Sequence, residues 1–109
     1  MTAKNQNFEM VAGDTKNVVV TVAGTDLTGA TIKWALKKSV SSTVANVSKT
    51  TSDGISISDA AGGVFTIALA PADTVNLKND YYHEAEVTDQ QGNVSTVMTG
   101  RISILLSGV

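Results

Sequence analysis

The sequence predicts an all-β sandwich, and three observations carry that expectation. Val, Thr, Ile and Ser are prominent in its 109 residues, a composition that suits pleated, half-buried strands. Apolar residues recur at every second position in several segments, the period of a strand with one face in a core. Turn signals built on Gly, Asn and Asp punctuate these segments roughly every 8–12 residues, the spacing of a sandwich. Together they give seven or eight mostly antiparallel strands and one short helical turn, in a single domain over residues 1–109. One hydrophobic core is feasible at that length.

Taken in order, Phe8 to Val11 alternates, with Phe8 and Met10 on one side and Asn7 and Glu9 on the other. Gly13-Asp14-Thr15-Lys16 reads as a turn. Val18, Val20 and Val22 share a face, with Val19 beside Thr21 on the opposite one. After a second turn at Asp26–Ala30, Ile32, Trp34 and Leu36 alternate with Lys33, Ala35 and Lys37. Trp34, a large aromatic in mid-strand, is expected to plug the core. Ser39 to Ser52 lacks large apolar residues and reads as an edge strand around Val44 to Lys49. Asp53-Gly54 signals a hairpin leading into Ile55 and Ile57.

Beyond the turn at Asp59–Gly63, Phe65, Ile67 and Leu69 face inward. Pro71 fits the first position of a helical turn, where its missing N–H costs nothing. Asp73 falls inside that turn, where the backbone dipole favours negative charge, and Val75 and Leu77 close it onto the end of the sandwich. Tyr81, His83, Ala85 and Val87 share the inner face of the next strand, with Tyr82, Glu84, Glu86 and Thr88 outside. A hairpin at Asp89–Asn93 leads to a last strand from Val94 to about Leu106, with a bend near Gly100. Ile102, Ile104 and Leu106 continue its core face. Phe8, Trp34 and Phe65 are the aromatic core residues.

Eight basic residues against ten acidic ones give a formal charge of −2 with both signs scattered. Nucleic acid, which needs a concentrated cationic face, is therefore not an expected partner. Lys33, Lys37 and Lys38 read as a solvated strand face. Apolar runs such as Val18–Val20 and Ile104–Leu106 are far too short for a membrane-spanning helix, and no secretion signal is expected in the polar opening TAKNQN. The chain has no cysteine, which excludes disulfides and thiolate chemistry.

A catalytic constellation is not expected either. His83, the one histidine, falls on an inner strand face and reads as structural. Glu84 and Glu86 stand about 7 Å apart on the outer face of the same strand, without the surrounding carboxylates that calcium requires. No cofactor is expected. Val11, Val19, Val97 and Leu105 fall out of phase with their strands' core pattern, and if they converge they form an apolar patch that marks an interface. An alternative reading, a carbohydrate-binding module for surface glycans, would need exposed rings from Tyr81, Tyr82 or Trp34.

The order of short motifs carries a resemblance. GDT (Gly13–Thr15) is followed by DLTGATIKWAL (Asp26–Leu36) and GGVFTIALAPADTVNL (Gly62–Leu77). The tyrosine strand YYHEAEVTD and GNVSTVMTGRISI come after. This arrangement resembles small bacteriophage and prophage virion proteins similar to the N-terminal, immunoglobulin-like domain of phage baseplate upper proteins. The resemblance implies a non-catalytic module located in the virion, docked to other virion proteins at a tail, baseplate or fibre attachment, with capsid decoration as the second seat. Homo-oligomeric or symmetric multi-copy assembly fits it. Separately, the order of strand, helical turn with Asp73 and Leu77, and tyrosine strand resembles the tyrosine corner of immunoglobulin-like domains, in which the hydroxyl of Tyr81 or Tyr82 would bond back to backbone near Asp73 to Leu77.

Overall fold

The period-2 segments become eight strands in the computed structural model, which describes residues 4–109. They are β1 (Phe8–Val11), β2 (Lys16–Thr21), β3 (Thr31–Lys37), β4 (Val47–Thr51), β5 (Gly54–Asp59), β6 (Val64–Leu69), β7 (Asn79–Thr88) and β8 (Val94–Leu105). A single turn of helix, α1 (Pro71–Thr74), separates β6 from β7.

Hydrogen bonding links all eight strands in the order β1-β8-β7-β3-β4-β5-β6-β2. The sheet curls over on itself at the β4–β5 contact. One layer holds β7 between β3 and β8, and the other holds β6 between β2 and β5. These are the C-F-G and B-E-D neighbourhoods of an immunoglobulin-like sandwich, with β4 added beside β3. Pairing is antiparallel except for β1 with β8 and β4 with β5, which are parallel.

The inward residues of both layers form one cluster. Ile32, Trp34 and Leu36 of β3 meet Phe65, Ile67 and Leu69 of β6 there, and all six are buried. Phe8 stands at the rim instead, half-buried and packed against the cluster. Its ring meets His83 edge-on at 5.7 Å between centroids.

Several expectations are corrected. The segment read as an edge strand around Val44 to Lys49 starts later, at Val47, and β4 lies inside the sheet between β3 and β5. The true edges are β1 and β2. Asp53-Gly54 does not make a hairpin. Ser52 and Gly54 both take positive φ in a tight turn closed by the Asp53 N–H on the Thr50 carbonyl at 2.8 Å, and β5 leaves it parallel to β4, pairing Thr50 with Gly54 and Thr51 with Ile55.

Irregularity in β8 falls at Val97 rather than at Gly100. The register passes from Ala85↔Met98 to Glu86↔Thr96, leaving Val97 as the extra residue of a bulge. A bulge resets the alternation, so Val97 and Met98 both turn inward and are buried. Leu106, expected in the core, lies past the last paired residue and is exposed. At the helical turn, Val75 is exposed and the fully buried residue is Thr74.

Candidate docking surface and the contacts that position it

Of the four apolar residues that fall out of phase, the fold brings two together. Val11 on the edge strand β1 pairs directly with Leu105 on β8. Both point outward, Val11 half-buried and Leu105 44 % exposed. An open groove of about 290 Å³ runs beside them, lined by Met10, Asp14, Thr15 and Lys16 as well. Val19 belongs to β2 in the other layer, where it faces solvent opposite Thr66. Val97 is in the core. The patch is therefore Val11 with Leu105, not the set of four.

Three contacts hold β1 where this patch needs it. Gln6 donates its backbone N–H to the Thr99 carbonyl at 3.0 Å. Arg101 donates its backbone N–H to Asn7 Oδ1 at 2.8 Å. The third reaches out of the core, where His83 Nε2 lies 2.7 Å from the Gln6 carbonyl oxygen. That carbonyl can only accept, so Nε2 carries the hydrogen. The other ring nitrogen, Nδ1, accepts from Trp34 Nε1–H at 3.1 Å. His83 is thus fixed as one neutral tautomer, fully buried, with burial pushing its pKa below the ordinary value against the opposing bond to Gln6.

Gly100 makes this bond possible. It pairs with His83 on the neighbouring strand, and a methyl group there would run into the Gln6 carbonyl and approach His83 Nε2 at 2.8 Å. The glycine is a gap through which the imidazole reaches β1.

The turn after Val11 is tied down from the opposite side. Gly13 donates its N–H to the hydroxyl of buried Thr74 at 2.9 Å, which joins the β1–β2 connection to α1. Nothing in the sequence marks Thr74, because a threonine ending a helical turn is ordinary. Asp73 works locally, with Oδ2 accepting from Ala70 N–H at 2.7 Å and pairing with Lys49 at 2.9 Å. Burial acts against its charge, but the bonds from Lys49 and Ala70 hold the carboxyl below its usual range.

Tyr81 is the tyrosine that turns into this corner. It is buried, and its hydroxyl accepts the Lys78 backbone N–H at 3.3 Å. The partner therefore lies one residue beyond the Asp73 to Leu77 stretch expected from sequence, and Asp73 is no part of the bond. Leu77 packs against the core cluster beside it. The Lys38 ammonium stands 4.7 Å from the Tyr81 ring centroid, a cation–π contact. Tyr82 points outward and donates its hydroxyl to Glu84 at 2.8 Å. Its phenol is pushed up to about 12 by burial and by the hydrogen bond and charge of Glu84.

No group of three His, Cys, Asp or Glu side chains could hold a metal among the described residues. Both nitrogens of His83 are engaged inside the protein. Of the three rings considered for glycan stacking, Trp34 and Tyr81 are in the core, and the Tyr82 hydroxyl is bound to Glu84.

No protein-family model matches this chain, and no curated protein does. Among solved structures, the chain is similar to AggA, the major subunit of aggregative adherence fimbriae type I from Escherichia coli. The sequence identity is 17 %, over 97 % of this chain and 91 % of that one, with a TM-score of 0.33.

Proposed function

We propose that this protein is a non-catalytic structural module of a multi-copy assembly, and that it docks onto a larger partner through the Val11–Leu105 edge. The observation that carries the reading is the placement of that pair. Two aliphatic side chains, Val11 on the edge strand β1 and Leu105 on its neighbour β8, stand side by side on the outward face of the sheet, where water would otherwise meet them. The edge is held by hydrogen bonds at both ends of β1, so a partner meets a preorganised surface and little ordering cost opposes binding.

The assembly we propose is a phage particle, with the chain at the tail, baseplate or fibre attachment and the capsid surface as the second seat. Support comes from the order of the GDT, DLTG, glycine-led strand and tyrosine-strand motifs. The partners are other virion proteins. The test is mass spectrometry of particles purified after expression of the genome that encodes the chain, with immunogold labelling to locate it. Copies fixed at one end of the tail or on the head are expected. Particles that lack the chain would remove the reading.

A further inference from the structure

The outer face of the β3–β7 pair carries charges in a pattern that complements itself. β3 turns Lys33, Ala35 and Lys37 outward, and β7 turns Tyr82, Glu84 and Glu86 outward. The register sets them in rows: Lys33 opposite Glu86, Ala35 opposite Glu84, Lys37 opposite Tyr82. A basic strand thus lies beside an acidic one. Among the described residues the one ion pair is Lys49–Asp73, so none of these four charges is neutralised by an ion pair within the chain. Over the small Ala35 side chain the face opens into a groove of about 240 Å³ that reaches Ser48 on β4.

We propose that this face packs on the same face of a second copy, about a two-fold axis running parallel to the strands between β3 and β7. Such an axis keeps each row at its own level and exchanges the two strands. Lys33 of one protomer then lies over Glu86 of its partner, and Glu86 over Lys33. Glu84 meets the groove over Ala35, flanked by Lys33 and Lys37 one row away, about 7 Å along the strand. Lys37 meets the Tyr82 hydroxyl. A two-fold axis across the strands would instead set Lys33 over Lys37 and Glu84 over Glu84, which like-charge repulsion rejects. The charge pattern selects one symmetry.

The axis between β3 and β7 overlaps four strands, β4, β3, β7 and β8, roughly 15 Å wide at about 4.8 Å spacing and at the small end for a stable interface. Association is therefore concentration-dependent and weakens with salt. The proposal rests on the multi-copy reading, but its contacts do not include the docking patch, because β1 with Val11 lies outside the four overlapping strands and Leu105 is four residues along β8 from Arg101, the partner of Tyr82.

Sedimentation velocity tests it on the purified chain. The wild type is expected to form dimers that dissociate as sodium chloride is raised. K33E and E86K are each expected to lose self-association by at least about tenfold, since each sets like charges face to face. An equimolar mixture of the two should dimerise again, because the K33E chain offers two carboxylates to the two ammonium groups of the E86K chain. Rescue in the mixture cannot come from refolding or from pairing within a chain. A mixture that stays monomeric, or single variants that dimerise like the wild type, would overturn the proposal. A wild type that stays monomeric would also overturn it while leaving the Val11–Leu105 docking reading intact.

Discussion

His83 and Trp34 meet in the core, with the indole N–H donating to Nδ1 of the imidazole at 3.1 Å. The indole nitrogen is a donor only, so this bond exists only while Nδ1 carries no proton. Protonation would set two N–H groups against each other where both rings are fully buried. The same ring holds the Gln6 carbonyl through Nε2, so the core residue whose charged form burial disfavours is also the one that anchors β1.

Acid should therefore weaken the fold earlier than carboxylate titration alone would. Burial lowers the pKa of His83 relative to the unfolded chain. Above the ordinary value of 6.5 both states are neutral and the stabilisation is complete. As pH falls below it, the unfolded chain binds a proton that the folded chain refuses, and stability drops until the folded pKa is passed. Calorimetry should give a melting temperature that declines as pH falls below about 6.5, before carboxylates begin to take up protons. In His83→Gln, which starts from a lower melting temperature, that decline should vanish.

Tyr81→Phe should cost about 1 kcal/mol, the net worth of one hydrogen bond, because the Lys78 N–H loses its partner. Tyr82→Phe should change stability by less than about 0.5 kcal/mol, as expected of a side chain on the outer face. Denaturant melts of the two variants distinguish them. Equal losses would place the corner elsewhere.

Gly100→Ala should be destabilising by about 1–3 kcal/mol, in the range of overpacked cores. The added methyl group collides with the Gln6 carbonyl, and relief requires β1 to move away from β8. Amide hydrogen exchange should then rise first at Gln6 and Ala12, whose N–H groups bond to Thr99 and Leu105.

The phenol of Tyr82 should titrate near 12 in an ultraviolet absorbance titration. Glu84→Gln removes the negative charge that opposes phenolate and turns a charge-assisted hydrogen bond from the hydroxyl into a neutral one. That variant should shift the same phenol downward.

Much of this architecture could be read from residues alone, and the failures have local causes. The strands containing Trp34, Phe65 and Tyr81 alternate cleanly, because each buries one face over its whole length. The out-of-phase rule put Val11, Val19 and Leu105 on outward faces, as the structure has them, and Val97 wrongly. Alternation counted along a chain cannot see a bulge, which depends on the register adopted with β7. Asp53-Gly54 suggested a hairpin since a turn signal records tight reversal, not which way the next strand pairs. His83 was legible as structural, but its bond to Gln6 spans 77 residues and rests on a glycine whose expected role was a bend. Thr74 left no signal, as its importance lies in the single backbone N–H it satisfies.

Docking through the Val11–Leu105 edge is tested most sharply by two charge substitutions at exposed aliphatic positions. L105E falls in the proposed docking surface, whereas V19E falls on the outer face of the other layer. With the two variants folded equally by thermal melts, each is measured for the amount of chain that co-purifies with particles. L105E should be depleted roughly thirtyfold, corresponding to about 2 kcal/mol at an interface hot spot, and V19E should be retained at the wild-type level. Retention of L105E at that level, or equal depletion of both, would contradict the account.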